Sequence, residues 1–139
     1  MESPTSSEFS HVIDWTEAME QCGDDEDFLR ELLSDLRGEI DAQIVKMDDV
    51  LMNPINEQSF LLIMRASHVI KGASSNLMCH ELNETAKKLE QSAARGQGIP
   101  REDGASDELE KATEDVKEKY ANLKKAVDNY YAFLDSVDV

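Results

Sequence analysis

An all-α chain, folded as an antiparallel four-helix bundle with a short additional N-terminal helix, is what this sequence predicts. Apolar residues recur every three or four positions through four long segments, the period of one face of a helix. No segment alternates apolar and polar residues between turn signals, as a half-buried strand would. The breaks between the periodic segments are short, which favours antiparallel packing of neighbours.

Residues 1–10 are rich in Ser and contain Pro4, and are expected to form a flexible N-terminus. Residues 11–139 read as a single domain, long enough for one core but not for two. Asp14-Trp15-Thr16-Glu17 has the form of a capping box, in which Asp14 accepts from free amides and Glu17 reaches back. A short helix follows to about Cys22, and Gly23-Asp24 turns the chain. Leu29, Leu33, Leu36, Ile40, Ile44, Met47 and Leu51 then predict a long helix over about residues 25–51. Gly38 inside it costs up to about 1 kcal/mol relative to Ala, which packing is expected to offset. Asn53-Pro54 ends that helix, because a residue before proline is pushed out of the α region.

A third helix is predicted over about 56–77. A fourth, over about 80–95, places Leu82, Ala86, Leu89 and Ala93 on one face. Residues 96–105, with three glycines and a proline, read as a loop. The last helix starts near Asp107, with Glu110 completing a second capping-box pattern. Its stripe of Leu109, Ala112, Val116, Tyr120, Leu123, Val127, Tyr130 and Leu134 carries it to about residue 135. The acidic run Asp24-Asp25-Glu26-Asp27 suits a helix N-terminus, where the macrodipole favours negative charge.

Composition excludes several functions. The chain carries 30 acidic against 14 basic residues, a net charge of −16, whereas a nucleic-acid or anionic-membrane partner calls for a basic surface. No apolar run approaches the roughly 20 residues that span a bilayer, and Met1-Glu2-Ser3-Pro4 does not begin a secretory signal. A cytoplasmic protein is expected. The acidic surface also suggests a monomer, through self-repulsion. Cys22 and Cys79 are too few for a disulfide scaffold and are expected to be reduced. His11, His68 and His80 lack a metal-ligand spacing, and Gly96-Gln97-Gly98 precedes Ile-Pro rather than a helix, so neither a metal site nor a nucleotide loop is predicted.

The informative stretch is His68-Val69-Ile70-Lys71-Gly72-Ala73-Ser74-Ser75. On a helix of about 3.6 residues per turn, Ile63, Ala66, Ile70, Ala73 and Leu77 share a narrow apolar sector, with Leu62 and Val69 on its flank. His68 lies on the other side, close to Arg65, Gly72 and Ser75. Residues three and four apart are neighbours, so His68, Lys71 and Gly72 form one patch: an exposed nucleophile, a cation and open space. An unperturbed imidazole titrates near pH 6.5, so at neutral pH much of it offers a lone pair. This combination suits accepting and returning a phosphoryl group. Leu61, Met64 and Met78 lie on or near the same side, where a plain bundle helix would be polar, and mark a candidate docking surface together with Arg65 and Ser75.

The stretch resembles the His-x-x-Lys-Gly signature of the histidine-containing phosphotransfer (HPt) family of multistep phosphorelays. Leu82 and Lys88-Leu89-Glu90 continue the likeness, and Ile13-Asp14-Trp15 with the segment Gly23 to Leu33 precedes it, so that it covers most of residues 13–96. The resemblance implies that His68 takes a phosphoryl group from a receiver-domain aspartate of a hybrid histidine kinase and passes it to the receiver of a response regulator. Lys71 would steady the phosphoryl charge and Gly72 keep the approach open. It implies no ATP site and no cofactor of its own, with magnesium expected on the partner receiver. Freestanding proteins of this kind also allow a nuclear location in a eukaryote. One departure is Met78, where the family usually has Gly; a side chain there could crowd access or alter the turn. Two rivals remain: a non-transferring helical adaptor that binds receivers, and a four-helix metal protein, for which the inward Glu-x-x-His motifs are missing.

Overall fold

In the computed structural model, which describes residues 9–100, 104 and 106–139, every regular element is helical: α1 (Trp15–Gln21), α2 (Glu26–Met52), α3 (Ser59–Asn76), α4 (His80–Gln97) and α5 (Ser106–Ser136). α2 packs on α3, α3 on α4, α4 on α5, and α5 closes back on α2, so four helices enclose one core while short α1 lies against α2. The expected bundle is the observed one. The α3–α4 interface is the most extensive, and the functional patch is built on it.

Helix ends follow local chemistry. Asp14 caps α1, its Oδ1 accepting from the Glu17 N–H at 3.0 Å. Its own N–H donates to the Met78 carbonyl at 3.0 Å, so this half of the predicted box instead ties α1 to the α3–α4 turn. Asp25 caps α2 by accepting from the Phe28 N–H at 3.1 Å. Within α2, Leu29, Leu33, Leu36, Ile40 and Met47 are buried. Gly38 is exposed, and a Cβ there would meet nothing within 4 Å; the packing expected to offset its cost is not there.

The third helix begins at Ser59 rather than near residue 56, because the chain first makes a turn. The Asn56 N–H donates to Ser59 Oγ at 2.9 Å, and Asn56 Oδ1 accepts from the Gln58 N–H at 2.8 Å. α4 runs to Gln97, beyond the loop boundary expected at residue 96. Gly96 is inside it, buried against Phe60; a Cβ would come within 2.5 Å of that ring. Glycine is there so that α3 and α4 can approach. α5 already includes Ser106, so Asp107 sits in its first turn rather than at its cap, and the cap position falls on residue 105, outside the described residues.

The core contains Phe60, Ile63, Ile70, Leu82, Leu89, Leu123, Tyr130, Phe133 and Leu134, all essentially inaccessible. Tyr130 satisfies its buried hydroxyl by donating to the Leu33 carbonyl at 2.7 Å. Phe9 and Trp15 meet Phe133 edge to face at 5.4 and 6.0 Å, so the packed part of the chain reaches at least to residue 9. Residues 1–8, expected to be flexible, lie outside the described residues. Cys22 and Cys79 are free and buried, and burial pushes the Cys79 thiol up to about 12. Among the described residues no helix is long and apolar enough to cross a membrane.

Candidate functional site

α3 can present a reactive side chain because its buried positions are satisfied within the helix itself. Ile63, Ala66 and Ile70 face the core. Ser67 and Ser74, also buried, donate to the carbonyls one turn back, at 2.8 Å to Ile63 and 2.6 Å to Ile70. These small residues allow α4 to pack closely. The outward side is left for His68, whose side chain is 65% exposed.

The imidazole is tethered to α4. Its Nδ1 lies 2.6 Å from Glu90 Oε2 on α4, and the other Glu90 oxygen accepts from Lys71 Nζ at 2.6 Å. One carboxylate, only 19% exposed, thus bridges the histidine and the lysine. Burial alone would raise the Glu90 carboxyl, but hydrogen bonds from Lys71 and His68 and their charges outweigh it and hold it below the usual 4.5. The pair is further seated by Asn83, whose Nδ2 donates to the Lys71 carbonyl at 2.9 Å. Gly72 is exposed, with no atom within 4 Å of where a Cβ would stand. The arrangement offers an open imidazole nitrogen, Nε2, on a rigid helix, with a cation beside it and a carboxylate behind it.

The structure brings His68, Lys71 and Gly72 together as one patch, with Arg65 and Ser75 exposed on the same helix. Lys71 leans toward α4 and Glu90. Leu61 and Met64 are half-buried, and Met64 packs against the core. Met78 does not crowd the imidazole: it lies ten residues on, about 15 Å along a helix, and packs partly against the core. What it alters is the turn. Its φ is +57, and it forms the left-handed position of a Schellman stop, with Cys79 N–H donating to Ser74 O at 3.0 Å and Met78 N–H to Ser75 O at 3.2 Å.

Sequence reasoning missed Glu90 as a site residue, because no local spacing connects positions 22 residues apart. The α3–α4 hairpin does: His68 and Glu90 each stand eleven residues from Cys79, where the chain reverses. It also missed the exposed apolar residues Leu62 (45%) and Val69 (37%), read from the helical wheel as flanks of the core. A groove between α2 and α3 is lined by the apolar Phe28, Leu32, Leu36 and Leu77 together with the acidic Asp35 and Glu39. Elsewhere, Asp14, Glu17 and His80 bring potential metal-ligating atoms within 4.8 Å of one another. All three are exposed, and Asp14 already spends an oxygen on capping α1.

Comparison with known proteins bears on this geometry. No curated protein and no solved structure matches the chain. A family model does, that of the Hpt domain, over residues 26–119, from the first residue of α2 to the middle of α5 and including all of α3 and α4. A helical bundle that holds an exposed histidine in that matched segment, three residues before a lysine and four before an open glycine, belongs to the Hpt domain family, the histidine phosphotransfer modules of phosphorelays.

Proposed function

We propose that this chain shuttles a phosphoryl group on His68 between the receiver-domain aspartate of a hybrid histidine kinase and that of a response regulator. The observation that carries the reading is the exposed His68 imidazole, held through Nδ1 by Glu90 so that Nε2 is the ring nitrogen left for reaction, with open space over Gly72 one turn on. Phosphoryl transfer asks mainly for positioning and for charge neutralisation. A helix interior supplies the first. For the second, α3 is the one helix of the five without an acidic residue, and it carries Arg65 and Lys71 in a chain of net charge −16. An anionic aspartyl phosphate meets two cations there, and the one carboxylate that reaches the site, Glu90 of α4, is engaged by Lys71 and His68.

In the forward step Nε2 attacks phosphorus, the N–P bond forms, and the acyl phosphate P–O bond breaks with its electron pair leaving on the partner aspartate. The reverse step returns the group to a second aspartate. Magnesium belongs to the receiver, and no nucleotide is required of this chain. Docking falls to the exposed apolar residues of α3, Leu62 and Val69, and to the α2–α3 groove, with Leu61 and Met64 contributing what their half-buried side chains leave accessible.

Incubation with a phosphorylated receiver domain and magnesium tests the reading. Wild type should acquire an acid-labile, alkali-stable label and His68→Gln none. A receiver that binds but leaves wild type unlabelled would make the chain a docking adaptor.

A further inference from the structure

The outward side of α2 carries apolar surface that neither the core nor the His68 patch uses. At about 100° per residue, Ser34, Gly38, Ala42, Val45, Asp49 and Met52 share an arc of about 80°, opposite the buried Leu36, Ile40 and Met47. All six are exposed. Val45 and Met52, at 69% and 84%, are the most exposed large apolar residues among those described, and they stand two turns apart on one line. Gly38, two turns before Val45, serves no contact within this chain, since a Cβ there would meet nothing within 4 Å. For the fold alone Ala would be better by up to about 1 kcal/mol. A missing Cβ does serve the close approach of a second helix, because side chains at the contact set the distance between helix axes.

We propose that this face docks an amphipathic helix of another protein, one whose apolar stripe is flanked by Lys or Arg. Positions 38, 42, 45, 49 and 52 alternate steps of four and three residues, the register in which one helix lies along another. The partner's stripe is then bulky over Gly38 and Ala42 and smaller beside Val45 and Met52. Charge specifies its flanks. Asp49 lies within the stripe, and Glu31 and Asp41 lie beside it, all exposed, whereas Lys46 is the exposed cation of α2. Cations on the partner pair with these carboxylates. A second copy would instead set the same carboxylates against one another in a chain of net charge −16. His68 stands on α3, so docking here is independent of phosphotransfer.

A synthetic peptide of about 18 residues, long enough at about 1.5 Å per residue to run from Ser34 to Met52, tests this on the whole chain. It carries Leu every three or four positions on one face and Lys on both flanks. Amide NMR shifts on adding it should map to the outward side of α2, and the same peptide with Ser for Leu should not bind. Val45→Gln and Met52→Gln should each weaken binding about tenfold, whereas Ala121→Gln, at an exposed residue of α5, should leave it unchanged. Asp49→Asn should weaken it less and flatten its salt dependence. Gly38→Gln should raise the thermal midpoint while lowering affinity, a pair of signs that a glycine serving the fold alone would not give. Labelling of Met52→Gln by a phosphorylated receiver should match wild type. Equal binding by all variants, or by the Ser peptide, would reduce the contact to non-specific charge attraction and overturn the proposal. So would shifts confined to Leu62 and Val69 on α3. Self-association without peptide, abolished by Met52→Gln, would overturn it too, by making the occupant a second copy.

Discussion

Met78 shows how much one backbone angle can decide. A side chain bearing a Cβ at φ +57 is disfavoured by roughly 1–2 kcal/mol relative to right-handed conformations, and the Schellman stop of α3 requires that angle. Glycine adopts it freely but loses more chain entropy on folding, up to about 1 kcal/mol. Met78 also packs partly against the core, and losing that contact costs about 1 kcal/mol, so the net expectation for Met78→Gly is a change within about 0.5 kcal/mol, read as a nearly unshifted urea midpoint at unchanged slope. Because the Met78 side chain lies about 15 Å along the chain from His68, phosphotransfer should be unaffected. Faster transfer by Met78→Gly would mean that Met78 obstructs docking after all. The sequence shows that a usual glycine is replaced here, but only the dihedral tells which of two consequences, crowding or strain, follows.

At the scale of elements, the bundle is legible in the sequence because a heptad-like stripe survives in each long helix: Leu29, Leu33, Leu36 and Ile40 in α2, and Val116, Tyr120, Leu123 and Val127 in α5, are buried as the period requires. What periodicity cannot carry is contact between elements. No wheel tells what Glu90, Gly96 and Leu62 meet across the bundle, yet one holds the imidazole, one lets two helices touch and one stays exposed. Ion pairs across helices make a measurable consequence. Asp115 on α5 accepts from Ser92 and Arg95 on α4 and from Lys119 on its own helix, and these hydrogen bonds hold its carboxyl below the usual 3.8 despite partial burial. Glu90 is likewise lowered, between α3 and α4. Between the folded and ordinary values the unfolded chain binds more protons than the folded one, so stability rises with pH there. The contribution of each carboxyl is complete above its ordinary value and is lost as pH falls through the folded one. Asp115→Asn should cost up to about 1 kcal/mol near pH 7, as a partly exposed pair does, and the gap to wild type should close in strong acid. A gap that stays constant with pH would mean that the ionised pair is not its source.

Across the whole molecule, the question is how a chain of net charge −16 admits an anionic partner site. Its acidic residues crowd α2 and α5, while α3 carries none. The screening length is about 8 Å at physiological ionic strength, so a phosphoryl group above His68 is governed chiefly by the local Arg65, Lys71 and Glu90 rather than by the net charge. Apolar contact beside that site adds affinity without adding repulsion, and Leu62 and Val69 are available for it. Val69→Glu places a negative charge next to the imidazole at a position already 37% exposed. Its stability cost should stay within about 0.5 kcal/mol, as for most surface changes, while loss of an interface contact and new repulsion should weaken receiver binding and transfer about tenfold. Met52→Glu is the matched control: it adds the same charge at an 84% exposed apolar residue at the far end of α2, where the chain turns toward the start of α3. Equal slowing by both variants would assign the effect to net charge. Slowing by Val69→Glu alone would locate the receiver on the Val69 side of His68, and with it the path along which the phosphoryl group arrives.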